Sequence, residues 1–241
     1  MHHWSSLVEQ FAAQGGRELL LGGAEPLGFP GFWVLVRKAI KAGVPRVSAF
    51  LSGSLLEPWV LRGLVESGVH MLVALDSLQP HLHDSLHGHG SHGRAMAAVE
   101  TFLKQNLAAR VGLLATVTSQ TKGELPLLAA WAAGRRLSRL LWSFVPEGGW
   151  PSKQLQDWAL STADATEVAN GLHGLARGLA DTTYIAPLDD PSLPLGCSPI
   201  LRVTPSGNAW WGFSGSGGQL GNLRTATLQN LLERGAQAAG D

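Results

Sequence analysis

Apolar residues along this chain fall into two alternating rhythms. Short runs that are apolar almost throughout stand at Glu18–Leu21, Arg46–Phe50, Met71–Leu75, Arg110–Val117 and Leu137–Phe144. Between them, at Gly31–Lys41, Pro58–Ser67, Gly93–Gln105 and Gly123–Ala133, apolar residues return every three or four positions. In the first of these stretches Phe32, Leu35, Val36 and Ala39 share one face of a helix. A run that is apolar at every position suits a strand covered on both sides, as in a parallel sheet clothed by helices. The alternation therefore predicts a parallel α/β fold, doubly wound or barrel-like. A helix over Thr166–Leu179 and a strand near Thr182–Ala186 continue the series. Trp33, Trp59, Trp131, Trp142 and Trp158 fall on these helix and strand patterns and are expected in the core.

The rhythm stops after Tyr184. The segment APLDDPSLPLGCSP reads as a linker or extended loop. Beyond it, Ile200–Thr204, a PSGN turn and Ala209–Phe213 read as a β-hairpin. Gly212–Gly221 reads as a glycine-serine loop and Thr225–Arg234 as a short closing helix. Two units are expected: strand–helix repeats over 1–187 and a small hairpin-and-helix extension over 188–241.

Composition narrows the function classes. Eighteen basic residues balance eighteen acidic ones in 241 residues, without the basic excess of a nucleic-acid binder. No apolar run approaches the roughly eighteen residues of a membrane span, and MHHWSSLVEQ lacks the basic start and apolar core of a signal peptide. The expectation is a cytoplasmic protein with neither nucleic acid nor membrane as partner. One cysteine, Cys197, allows no intrachain disulfide and no metal site built from several thiolates of this chain. No neighbouring cation in sequence would activate it. Asp189 and Asp190 are adjacent in a loop and make a poor paired-carboxylate site, and no P-loop, nucleophile elbow or HExxH motif is present.

In parallel α/β folds, ligands bind at the carboxyl ends of the strands. Four such ends carry notable residues: Gly22-Gly23-Ala24-Glu25-Pro26, Leu51-Ser52-Gly53, Asp76-Ser77 and Thr116-Val117-Thr118. Glycines at 22 and 23 would bare the backbone to a ligand, or simply make a tight turn.

The strand ending LLLGGAEPL resembles the Gly-Gly-Glu-Pro-Leu segment of radical SAM enzymes. The resemblance continues in order through SAFLSGSLLEPW, VALDSLQPHLHDSLHGHGSHG and LGCSPILRVTPSGNAWWGF, matching the branch with a SPASM or twitch-like C-terminal extension. It implies a partial (β/α) TIM-type barrel with its first strand missing, followed by a small extension. It also implies a site for S-adenosylmethionine (SAM) at Gly22, Gly23, Glu25, Ser52, Gly53 and Asp76, with the Glu25 turn holding the SAM amino group.

Departures from the family pattern matter as much. Family members hold a [4Fe–4S] cluster on a Cys-x3-Cys-x2-Cys loop upstream of the Gly-Gly-Glu-Pro strand; here about twenty residues precede that strand and none is cysteine. The extension keeps Cys197 alone, and the next expected cysteine falls near Gly212, where Trp210, Trp211 and Phe213 could fill a vacated volume. Thr-Asn-Gly and Ser-Leu-Asp of the family read here as Leu51-Ser52-Gly53 and Ala74-Leu75-Asp76. No iron–sulfur cluster is expected from this chain, and SAM is the candidate cofactor.

Imidazoles crowd HLHDSLHGHGSH. His81, His87, His89 and His92 are candidate metal ligands, while His83-Asp84 matches a family dipeptide. The competing reading is a glycine-rich surface loop with no fixed geometry.

Three functions are compatible with these features. The first is a degenerate radical SAM-like protein, a pseudoenzyme alone, partnering a maturation enzyme or peptide precursor in peptide or cofactor maturation. The second is a radical SAM enzyme completed by an upstream segment or a partner chain. The third is a SAM- or metal-binding protein without radical chemistry.

Overall fold

The structure, a computed structural model, describes residues 2–23, 25–144, 157–179, 184–187, 201–204, 206–211 and 218–238. Helix α1 (His2–Ala13) leads into β1 (Glu18–Leu21), followed by α2 (Phe32–Lys41), β2 (Arg46–Leu51), α3 (Pro58–Ser67) and β3 (His70–Ala74). Two helices, α4 (Pro80–His87) and α5 (Ser91–Lys104), precede β4 (Val111–Val117). Then come α6 (Leu125–Gly134), β5 (Arg139–Phe144), α7 (Thr162–Leu179) and β6 (Tyr184–Pro187). The six strands are parallel and lie in sequence order, so β1 and β6 each have one neighbour among the described residues.

The predicted strands and helices of this half are present. Proline at the first turn of α3, α4 and α6 fits a position whose amide has no helical partner. The main core lies between sheet and helices, where Phe32, Val36, Leu64, Val99, Phe102 and Leu128 pack on Met71, Val73 and Leu113. Trp142 joins that core, but Trp59 is 62% exposed. It follows the proline that opens α3, and Val60 and Leu64 form the buried stripe instead.

The other face of the sheet is concave. Glu18, Ser48, His70, Gly112 and Arg139 form a slanting row across β1–β5. Register pairs Ser48 with His70 and Gly112 with Arg139, while Glu18 lies two residues before Leu20, the partner of Ser48, and His70 two before Leu72, the partner of Gly112. Above it Leu20, Phe50, Leu72, Leu114 and Leu141 form an apolar layer. The Arg139 guanidinium on β5 donates to both Glu18 oxygens on β1, at 2.5 and 3.0 Å, and to Ser48 Oγ on β2 at 2.7 Å. In a flat sheet β1 and β5 would stand about 19 Å apart, four strand spacings. The ion pair therefore requires the sheet to curl, as in a barrel left partly open. Gly112 is the gap it crosses: a Cβ there would stand 2.7 Å from Arg139 Cγ and 2.9 Å from its carbonyl oxygen.

This polar row makes stability pH-dependent. Burial alone would raise the Glu18 carboxyl, but Arg139, Ser48 and Arg46 together hold it below its ordinary 4.5. Burial, then the positive charge of Arg46 and Arg139, lowers His70 from 6.5 to about 4. Both folded values lie below the unfolded ones, so both contributions are complete above the unfolded values and disappear as pH falls. The urea midpoint should decline from pH 6.5 down to about 4 as His70 is forced to charge, with Glu18 adding to the loss below 4.5. His70→Gln should flatten only the upper part of that decline in stepped-pH urea denaturation.

The C-terminal unit holds β7 (Leu201–Val203), β8 (Asn208–Trp211) and β9 (Gln219–Asn222) in one antiparallel sheet, and then α8 (Leu228–Ala238). The predicted hairpin is present, extended by a third strand, β9, that begins inside the expected glycine-serine loop. Helix α8 packs on β9 and against α1. Trp210 is half-buried, with the Arg202 guanidinium 5.6 Å above its ring. β6 runs to Pro187, and the next described residue is Leu201. Cys197, Asp189, Asp190, Ala24 and residues 212–217 lie outside the described residues.

Candidate functional site

The carboxyl ends of β1, β2 and β3 converge on one side of the sheet. At the end of β1, Gly22 and Gly23 are exposed. The Glu25 backbone is extended, and its Oε1 accepts from the Leu27 amide at 3.5 Å, capping a short 3-10 turn over Pro26–Gly28. Glu25 Oε2 accepts from the Ser52 amide at 3.0 Å and from Ser52 Oγ at 2.5 Å, locking the end of β1 to the end of β2. Ser52 Oγ also lies 2.7 Å from Ser54 Oγ. Gly53 then turns with φ +80, and a Cβ there would stand 2.6 Å from the Arg94 carbonyl oxygen of α5. The sequence-predicted residues Gly22, Gly23, Glu25, Ser52 and Gly53 are thus gathered on two neighbouring strand ends.

Asp76, just past β3, is almost fully enclosed. Its Oδ1 accepts from the Thr116 amide at 2.6 Å, and its Oδ2 stands 2.5 Å from His87 Nε2. His83 Nδ1 lies 3.2 Å from both the Asp76 amide nitrogen and Oδ2. Burial would raise the Asp76 carboxyl, yet the adjoining His83 and His87 rings and the Thr116 amide hold it low. Burial would lower His87, yet its bond to Asp76 raises it. Oδ1 is committed to the Thr116 amide, and Oδ2 faces the two imidazoles.

The imidazole-rich segment is not a loop. Pro80–His87 forms α4, and Asp84 organises the turn into α5: its carboxylate accepts from the amides of Gly90 (2.7 Å) and His92 (2.8 Å) and from Ser91 Oγ (3.0 Å). These bonds cap the amino end of α5. The two backbone amides, followed by Ser91 and His83, pull the Asp84 carboxyl down to about 2. Of the predicted metal ligands, His87 reaches Asp76. His92 lies with its ring 5.9 Å from that of His83, whereas His81 and His89 are exposed and outside the cluster. His83, read from sequence only as half of a dipeptide, is 2% exposed and central to the site.

A cleft of about 190 Å³ opens here, lined by Ser52, Ser54, Ala74, His83, His87, Ser91 and Arg94. Ser54, Ser91 and Arg94 carried no sequence signal, because α5 brings two of them in from beyond the next helix. Beneath, Glu124 accepts from Ser77 Oγ at 2.7 Å and from Gln79 Nε2 at 3.0 Å, fixing the loop after β3. The gathered donors are carboxylate, hydroxyl, imidazole and guanidinium, and no thiolate stands among the described residues. A [4Fe–4S] cluster bound through three thiolates does not fit this donor set.

Residues 5–132 match the Radical SAM superfamily. GTP 3′,8-cyclase of Rhizobium meliloti is 30% identical over 147 residues, 59% of this chain and 42% of that protein. AdoMet-dependent heme synthase of Methanosarcina barkeri is 32% identical over 99 residues, 40% of this chain and 28% of that protein. The chain thus spans less than half the length of these curated relatives. Among solved structures, Streptococcus suis SuiB bound to precursor peptide SuiA superposes with a TM-score of 0.70 at 12% identity, over 96% of this chain and 57% of that one. The native anSMEcpe structure with bound AdoMet gives 0.67 at 15% identity, over 98% of this chain and 72% of that one. These two likenesses speak to the fold. The family match runs from α1 into α6, through the strand ends that build the cleft; on that match, the chain belongs to the radical SAM superfamily.

Proposed function

We propose that this chain binds SAM at the ends of β1 and β2 and serves as a partner subunit in peptide or cofactor maturation, without radical chemistry of its own. The Glu25–Ser52 junction carries the reading. Glu25 Oε2 is engaged by Ser52, while among the described residues Oε1 receives only the long Leu27 contact at 3.5 Å. A carboxylate accepts up to about four hydrogen bonds, so Oε1 retains capacity for an ammonium group beside two exposed glycines. That is the role the family resemblance gives this turn. Relatives whose names include AdoMet support the ligand, and SuiB bound to its precursor peptide supports a peptide partner. In this reading residues 1–187 form the binding barrel and 188–241 a SPASM-like extension without clusters, in a cytoplasmic protein. The single cysteine supports a chain that makes no cluster alone.

The one-sided pairing of β1 among the described residues favours a second reading, in which another segment or chain pairs with that edge and brings thiolates. Calorimetric titration of SAM into the chain as isolated, without iron or sulfide, tests the first. Saturable binding near one equivalent is expected, weakened at least about tenfold in Glu25→Gln, which removes the charge facing the ammonium. No saturable heat from folded protein would overturn it.

A further inference from the structure

We propose that Asp76, His83 and His87 form a site for one borderline divalent cation, Zn²⁺ or its like, at the wall of the cleft. It is independent of SAM binding. The three residues each offer a ligand atom, all within 4.8 Å of one another. Two imidazoles and a carboxylate suit Zn²⁺, Co²⁺ or Ni²⁺ rather than Mg²⁺ or Ca²⁺. Three protein ligands with an exposed side leave a coordination position open, and here His83 and His87 both line the cleft.

The carboxylate is already aimed. The Thr116 amide holds Asp76 Oδ1 at 2.6 Å and leaves Oδ2 toward the imidazoles, as outer groups hold ligands in built metal sites. The rings of His83 and His87 stack with centroids 4.6 Å apart and planes 27° from parallel, so their ligand edges face the same oxygen.

The arrangement without a cation is imperfect in a telling way. His83 Nδ1 has one lone pair. It accepts from the Asp76 amide at 3.2 Å, which puts an acceptor nitrogen 3.2 Å from an acceptor oxygen with no hydrogen between them. A cation turns that contact from repulsive to bridging, at the cost of one amide hydrogen bond. His87 Nε2, at 2.5 Å from Oδ2, must open toward the roughly 3.3 Å that two ligands on one tetrahedral ion keep. It is the last residue of α4 and its side chain is 36% exposed, so it has room to move. His92, its ring 5.9 Å from that of His83, has Nε2 buried without a hydrogen-bond partner among the described residues.

The test is titration of Zn²⁺, with Co²⁺ as optical probe, into chelator-treated full chain without SAM or iron. One equivalent should bind at micromolar or tighter concentration, and Co²⁺ should show the intense visible bands of low-coordinate nitrogen and oxygen ligation. His87→Gln, at a half-exposed position that leaves the fold intact by circular dichroism, should weaken binding at least tenfold. The double variant His81→Gln/His89→Gln should bind as the parent does. Absence of saturable binding, binding unchanged in His87→Gln, or binding lost in the double variant would each overturn the site.

Discussion

Glu18→Ala should destabilise the chain by about 3–5 kcal/mol, the penalty of leaving a buried charge without its partner. Arg139 is 4% exposed and its terminal nitrogens are satisfied by Glu18 and Ser48. Removing the carboxylate leaves a guanidinium facing Ser48 alone beneath an apolar layer. The effect is large because the pair is both an electrostatic partner set and the tie that curls β1 toward β5. Urea denaturation measures the loss. Glu18→Leu/Arg139→Met should recover most of it, since replacing both members of a buried pair with apolar residues is often close to neutral. If Glu18→Ala costs less than about 1 kcal/mol, the pair is not what holds the sheet curled.

Gly53→Val is expected to remove SAM binding and to lower stability by about 2–4 kcal/mol. One part is backbone strain at φ +80, of order 1–3 kcal/mol for a residue with a Cβ. The other is collision: the Cβ would stand 2.6 Å from the Arg94 carbonyl oxygen and 3.1 Å from Ala98 Cβ, so α5 must shift. Because Ser52 precedes Gly53 and holds Glu25, that shift unseats the junction. Gly88→Val separates the two parts. Gly88 has φ +89 with nothing within 4 Å of its Cβ, so it carries strain without collision. Its variant should lose stability by the strain part alone and keep SAM affinity within about twofold. Equal loss of SAM binding in both variants would contradict the link through α5.

Much of the barrel was legible because its code is local. Runs such as Met71–Leu75 are apolar throughout because one face meets helices and the other meets the concave layer, and that shows in five consecutive letters. The Glu18–Arg139 pair was not legible, because 121 positions separate its members and only the curl joins them. Helix α4 was hidden by composition: HLHDSLHGHG is polar and its buried anchor is a histidine rather than an aliphatic residue. The same feature concealed His83, whose partner Asp76 lies seven positions back across a strand end. Glu25, Ser52 and Gly53 were found because the family's turns sit at strand ends, where parallel sheets place ligands. Asp76 was found as a site residue, but its enclosure by Thr116, His83 and His87 needed the fold.

One titration tests the central claim most directly: SAM added to the chain before and after anaerobic incubation with iron and sulfide. If the β1 and β2 ends alone hold the ligand, the affinity is the same in both arms, with a dissociation constant below about 1 mM, and no thiolate-to-iron absorption develops. Binding that appears only after reconstitution, together with that absorption, would contradict the account and assign the chain to the cluster-bearing enzymes of its superfamily.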